Sequence, residues 1–182
     1  MQPPTSDRLV FTHAAEALLR SLGPRLTPSL TEKLAKLGLK AGELPPAFEY
    51  ERWKTILATV GEDLKPGQPQ LAHHELGELL TDAFLENFIG RALKPIIKLI
   101  GMKRALGRMR QNFRVANNYS EVLATEIAPG HFTLRVNETG MMAYFYRGIL
   151  DRGLRLCDPK NLSVGILKED AEGVVFAIRW DL

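Results

Sequence analysis

The sequence predicts an α+β domain in which a helical amino-terminal half packs on one four-stranded, mainly antiparallel sheet with β-β-α-β-β order. Three observations point there. Apolar residues recur at helical spacing from Ala14 to Phe113. After Val115-Ala116-Asn117-Asn118 the period falls to that of a strand, and Pro129-Gly130 marks a hairpin. One further helical stretch then separates two more alternating runs, so the helices are expected on one face of the sheet. The 182 residues, 45% hydrophobic and 25% charged, suffice for one domain with a sizeable core. A flexible terminus is expected over 1–9, then a single domain over 10–182, with its helical half at 10–116 and its sheet half at 117–182.

The elements follow in order. Ala14, Ala15, Leu18, Leu19 and Leu22 form the inner face of a helix at 12–22, ended by Gly23-Pro24. Thr27-Pro28 is an N-cap followed by proline in the first turn, and the helix it starts runs through Leu30, Leu34 and Leu37 to Gly38. Residues 41–48 hold Pro45-Pro46 and read as loop. A helix at 50–60 turns Trp53, Ile56, Leu57 and Val60 inward and is expected to stop at Gly61. The longest helix covers 70–88. A basic amphipathic segment spans 91–100, and Gly101 divides it from a helix at 103–113 with Leu106, Met109 and Phe113 inside. Strands are expected at 119–127, 131–136, 162–168 and 174–180, with a helix at 141–156 closed by Asp158-Pro159.

Charge is unevenly placed. Arg91, Lys94, Lys98, Lys103, Arg104, Arg108, Arg110 and Arg114 lie in a stretch without Asp or Glu, while the remainder has 16 basic against 21 acidic residues. This face suits an acidic protein, an anionic lipid or nucleic acid. It equally suits a solvated surface paired with acids from elsewhere. No helix-turn-helix pattern favours DNA. Cys157 is the only cysteine, so no internal disulfide forms and a reducing, cytoplasmic setting is expected. No run approaches the roughly 20 apolar residues that span a bilayer, and residues 1–8 lack the apolar stretch of a signal peptide.

Motifs of catalysis are missing. His73-His74-Glu75 with Glu78 lacks the second histidine of a zinc-hydrolase helix. No phosphate-binding glycine loop or Gly-x-Ser-x-Gly elbow occurs. Cys157 ends an apolar helix and reads as structural. The informative polar segment is Asn112 to Tyr119. Asn117 and Asn118 suit a tight turn, and Arg114 can pair with Glu121 or Glu138. Alternatively, Arg114, Asn117, Asn118 and Tyr119 present donors to an anionic group, with Asn137 and Glu138 behind them. Tyr144 and Tyr146 read as core, or as pocket or dimer-contact residues.

Gly90-Arg91-Ala92-Leu93, Lys103-Arg104-Ala105-Leu106, Arg108-Met109, Asn112-Phe113-Arg114, Asn117-Asn118-Tyr119, Asn137-Glu138 and Gly148-Ile149-Leu150 together resemble a large paralogous family of myxobacterial proteins without an agreed activity. The resemblance runs from Val10 to Trp180. More distantly, the element order and Met142 to Leu150 are similar to the superfamily of haem nitric-oxide/oxygen sensor domains, 4-vinyl-reductase-like domains and TRAPP small subunits. That resemblance implies a pocket between the helical half and the sheet, able in relatives to hold haem or an acyl chain. Sensor domains supply a histidine from the helix before the first hairpin. Residues 103–114 contain none, and the Tyr-x-Ser-x-Arg clamp is absent, so no haem and no other cofactor is expected.

The sequence therefore favours a non-catalytic ligand-binding or regulatory module, with Arg114, Asn117, Asn118, Tyr119, Asn137 and Tyr144 at the ligand. The alternative is an interaction adaptor docking through Arg91, Lys94, Lys98, Lys103, Arg104 and Arg108. An enzyme assembled from distant residues is the third class.

Overall fold

The computed structural model describes residues 7–86 and 88–182; the side chains of 88–94 and 96, with the expected contacts of Arg91 and Lys94, lie outside the described residues. Residues 1–6 of the terminus expected to be flexible also lie outside them.

The helical half contains α1 (Thr12–Leu22), α2 (Pro28–Lys36), α3 (Tyr50–Leu64), α4 (Pro69–Glu86), α5 (Phe88–Gly107) and α6 (Met109–Ala116). The Thr27 hydroxyl accepts from the Leu30 amide at 3.2 Å, a cap worth about 1 kcal/mol. Gly38 follows α2 at φ 81°, a left-handed position that glycine adopts without steric cost.

Several boundaries differ from expectation. Two strands, β1 (Leu9–Phe11) and β2 (Ala47–Glu49), pair antiparallel at the edge of the helical half. Part of 41–48 is therefore strand, too short for alternation to reveal. Helix α3 runs through Gly61, which is buried against α4: a Cβ there would stand 3.2 Å from that of Ala72. Gly101, at φ 72° and ψ 168°, kinks α5 as expected. The next break falls at Arg108 instead of beyond Phe113, so the expected helix 103–113 is split between α5 and α6.

The sheet half contains β3 (Val122–Ala128), β4 (His131–Val136), α7 (Met141–Leu154), β5 (Lys160–Asp170) and β6 (Gly173–Asp181). Strand order is β3-β4-β6-β5 and every pairing is antiparallel. Phe132, Leu134, Val136, Val174, Phe176 and Ile178 point from the central strands into the core shared with Leu106, Phe113, Phe145 and Leu150. Strand β5 is longer than expected because its register continues to Asp170 opposite Gly173.

Helices α4 and α7 cross at backbone contact. A Cβ on Gly77 would stand 2.1 Å from the Phe145 carbonyl oxygen, and one on Gly148 would stand 2.0 Å from that of His74. Two glycines facing each other let the helices approach closer than side chains permit, which locks the sheet's crossover helix to the helical half.

Candidate functional site

The segment joining α6 to β3 is the place where the two halves meet. Asn117 Oδ1 accepts from the amides of Tyr119 and Ser120 at 3.0 and 2.8 Å, which closes a local turn. Asn118 holds the amino-terminal strand: its Oδ1 accepts from the Leu9 amide at 2.8 Å and its Nδ2 donates to the Asp7 carbonyl at 2.9 Å. Asn137 ties the end of β4 to the same segment. Its Oδ1 accepts from the Glu121 amide at 2.7 Å, and its Nδ2 donates to the Tyr119 carbonyl at 3.0 Å.

Arg114 completes the joint. Its Nε and Nη1 donate to the carbonyls of Ser120 and Asn118 at 2.9 and 2.7 Å, and Nη2 bonds to the Glu121 carboxylate. Arg114, Asn117, Asn118, Tyr119 and Asn137 are thus brought together. The polar groups just described, however, are spent on the chain itself. Tyr144 lies apart, half-buried on α7.

Behind this joint is a buried polar-aromatic cluster. Glu138 is 1% exposed and accepts a short hydrogen bond from the Tyr50 hydroxyl on Oε2, while its Oε1 makes none. Burial pushes this carboxyl up to about 7; the hydroxyls of Tyr50 and Tyr119 and the charges of Arg8 and Lys54 pull the other way. Tyr50 and Tyr119 meet edge to face at 5.1 Å. The Arg8 guanidinium carbon lies 5.6 Å from both ring centroids. Burial raises all three tyrosine hydroxyls of the cluster (Tyr50, Tyr119 and Tyr146), with the negative charge of Glu138 adding to it.

Tyr119, Asn137, Glu138 and Tyr146 are legible in the sequence as candidates, whereas Arg8, Tyr50 and Ser120 are not. Arg8 and Tyr50 join the cluster through the β1–β2 pairing, where the Tyr50 amide donates to the Arg8 carbonyl at 3.0 Å. That pairing was the one signal able to place them.

Among its described residues, the basic face is largely paired. Lys98 meets Asp158 at 2.9 Å, Lys103 bonds Glu126, and Arg110 meets Glu121 at 2.9 Å. Arg104 and Arg108 are exposed. Beside this face, a groove of about 430 Å³ lies at the α5 kink, with Ile100, Met102, Trp180 and Leu182 as apolar lining and Lys103, Lys160, Asp158 and Asp181 as its charged lining. A second groove of about 460 Å³ along α4 is polar, lined by Lys65, His74, Glu75, Glu78, Asp82 and Arg152.

The pocket implied by the sensor-domain resemblance does not suit haem. Helix α6, immediately before the first hairpin, turns Met109 and Phe113 inward. Phe113 meets Tyr146 edge to face at 4.9 Å, and the Tyr146 hydroxyl bonds Ser120 at 2.8 Å. Two packed rings stand where α6 faces α7. The histidines are committed or peripheral: His73 Nδ1 bonds the Pro69 carbonyl at 2.8 Å, His74 Nε2 pairs with Asp151 at 3.0 Å, His13 is exposed, and His131 opens β4. Among the described residues no group of three or more His, Cys, Asp or Glu is placed to hold a metal ion, and no helix is long and apolar enough to cross a membrane.

A family model described as "Protein of unknown function (DUF2378)" matches residues 8–181. Among solved structures, an oxygen-binding H-NOX domain related to soluble guanylate cyclases, in its oxygen complex, is similar with a TM-score of 0.71 and 13% identity, covering 93% of this chain and 94% of that one. A structure concerned with the mechanism of H-NOX activation has a TM-score of 0.69 at 14% identity, with 95% and 97% covered. An Fe(II) unliganded H-NOX mutant from K. algicida has a TM-score of 0.62 at 12% identity, with 93% and 95% covered. At these identities the likeness is one of fold. No curated protein matches the chain.

Proposed function

The chain belongs to the DUF2378 family, and from that premise, with the fold it shares with H-NOX domains, we propose that it is a non-catalytic, cytoplasmic regulatory module that works without haem and binds a small apolar or anionic ligand. The observation that carries this reading is the closed seam, where Phe113, Tyr146 and Ser120 occupy the space between α6, α7 and the sheet. A porphyrin would need an open cavity there and an axial ligand free to reach its iron, whereas the Tyr146 hydroxyl is bonded to Ser120.

Cys157 and His74 support the non-catalytic reading. Burial raises the Cys157 thiol, so it is held protonated and is a poor nucleophile. His74 is oriented by Asp151, yet among the described residues no hydroxyl or thiol bonds to its ring.

The ligand site of this reading is the groove at the α5 kink. Its apolar lining of Ile100, Met102, Trp180 and Leu182, with Lys160 beside Asp158 and Asp181 at the edge, fits an acyl chain. The adaptor reading is weaker, because acids from other elements already neutralise Lys98, Lys103 and Arg110.

Titration with dodecanoate below its micellar concentration, followed by tryptophan fluorescence, tests the site. A saturable change that Trp180→Phe abolishes and Lys160→Glu weakens supports it. A flat response, or one unaffected by both substitutions, overturns it.

A further inference from the structure

The cluster behind the joint has a shape of its own. Tyr50 and Tyr119 are 6% and 1% exposed, and their rings stand at 67° to each other. Glu138 closes the third side with one carboxylate oxygen bonded to Tyr50 and the other, buried, without a hydrogen bond. Two electron-rich ring faces and a desolvated carboxylate are the chemistry that selects an organic cation, and a planar guanidinium above an ammonium.

The cation beside this cluster belongs to the chain. Arg8 sits 5.6 Å from both rings at once and exerts a favourable pull on the Glu138 carboxylate. Lys54 lies over the Tyr50 ring at 4.8 Å but also pairs with Glu51 at 2.7 Å. Arg8 precedes a strand of only three residues, held on one side by β2 and on the other by Asn118.

We propose that Tyr50, Tyr119 and Glu138 form a guanidinium-binding cage which Arg8 occupies in cis, so that β1 is a latch and the cage accepts an external guanidinium group once Arg8 is removed. The proposal stands on the cage geometry and is independent of the regulatory reading above. A ligand for the emptied cage is any molecule that presents a guanidinium on a slim stem, such as an arginine side chain.

The experiment is chemical rescue. Arg8→Ala is titrated with methylguanidinium at millimolar concentration, with urea and sodium chloride as controls, and thermal midpoint and tyrosine fluorescence are followed. The expected result is saturable, one-to-one stabilisation of Arg8→Ala, at least ~10-fold weaker in Arg8→Ala/Glu138→Gln because the negative charge facing the guanidinium is lost. Ethylammonium is expected to bind more weakly than methylguanidinium. If Arg8→Ala does not fold, Arg8→Gln keeps part of the stem and serves in its place. Equal responses with and without Glu138, or no response in either Arg8 variant, overturn the proposal.

Discussion

Replacing Glu138 by glutamine isolates the electrostatics of the seam. Glutamine keeps the acceptor for the Tyr50 hydroxyl and copies the neutral form of the acid. The carboxyl is pushed from an ordinary 4.5 up to about 7 in the folded chain. The groups facing it are Tyr50, Tyr119 and Tyr146, all neutral at these pH values, and the cations Arg8 and Lys54. Because the folded state binds this proton more tightly than the unfolded state, its stabilising contribution is complete below about pH 4.5. It is lost as pH rises toward about 7, beyond which the penalty is constant. At about 1.4 kcal/mol per tenfold change, the shift corresponds to roughly 3 kcal/mol. Urea denaturation of wild type and Glu138→Gln at pH 5, 6, 7 and 8 measures it. The difference between the two proteins cancels the titration of the other carboxylates and should move by about 2 to 3 kcal/mol in favour of the variant across this range. Parallel stability curves would refute the reasoning, since they would mean that Glu138 ionises as freely in the fold as in the unfolded chain.

Two further outcomes follow from the geometry. Gly148→Ala puts a methyl 2.0 Å from the His74 carbonyl oxygen; backbone cannot swing aside, so a loss of about 3 kcal/mol or more is expected in chemical denaturation. An undiminished midpoint would mean that α4 and α7 are not in backbone contact. Asn137→Ala removes two hydrogen bonds, a partly buried one from the Glu121 amide and a buried one to the Tyr119 carbonyl, and should cost about 2 to 3 kcal/mol. It should also speed amide exchange at Glu121, measurable by NMR, while leaving the amides of α2 unchanged.

Much of the fold is legible in the sequence because most elements are long enough to show a period. The 12–22 helix, the Thr27 cap and the 131–136 strand coincide with α1, α2 and β4. Pairs of short strands have no period to read, and so β1 and β2 escaped notice. The candidate site follows the same division. Asn117, Asn118, Tyr119 and Asn137 stood out as polar residues at a change of period, and the structure places them side by side. Their use is a matter of partners: only the distant contacts with Leu9, Asp7 and Glu121 reveal that these amides hold the chain together. Glu138 carries no local mark of its burial. The sequence offers it as a partner for Arg114 or as a residue behind an anion site, and only the β1–β2 pairing brings Tyr50 to it.

The closed seam between α6, α7 and the sheet is tested most directly by haemin reconstitution. Purified protein is incubated with one equivalent of haemin under reducing conditions, passed over a desalting column and examined by absorption spectroscopy. With Phe113 and Tyr146 in the seam, the eluted protein should carry no sharp Soret band and no signal from an axially ligated iron. A stoichiometric Soret band that survives the column, and that disappears on replacing one of the four histidines, would contradict it.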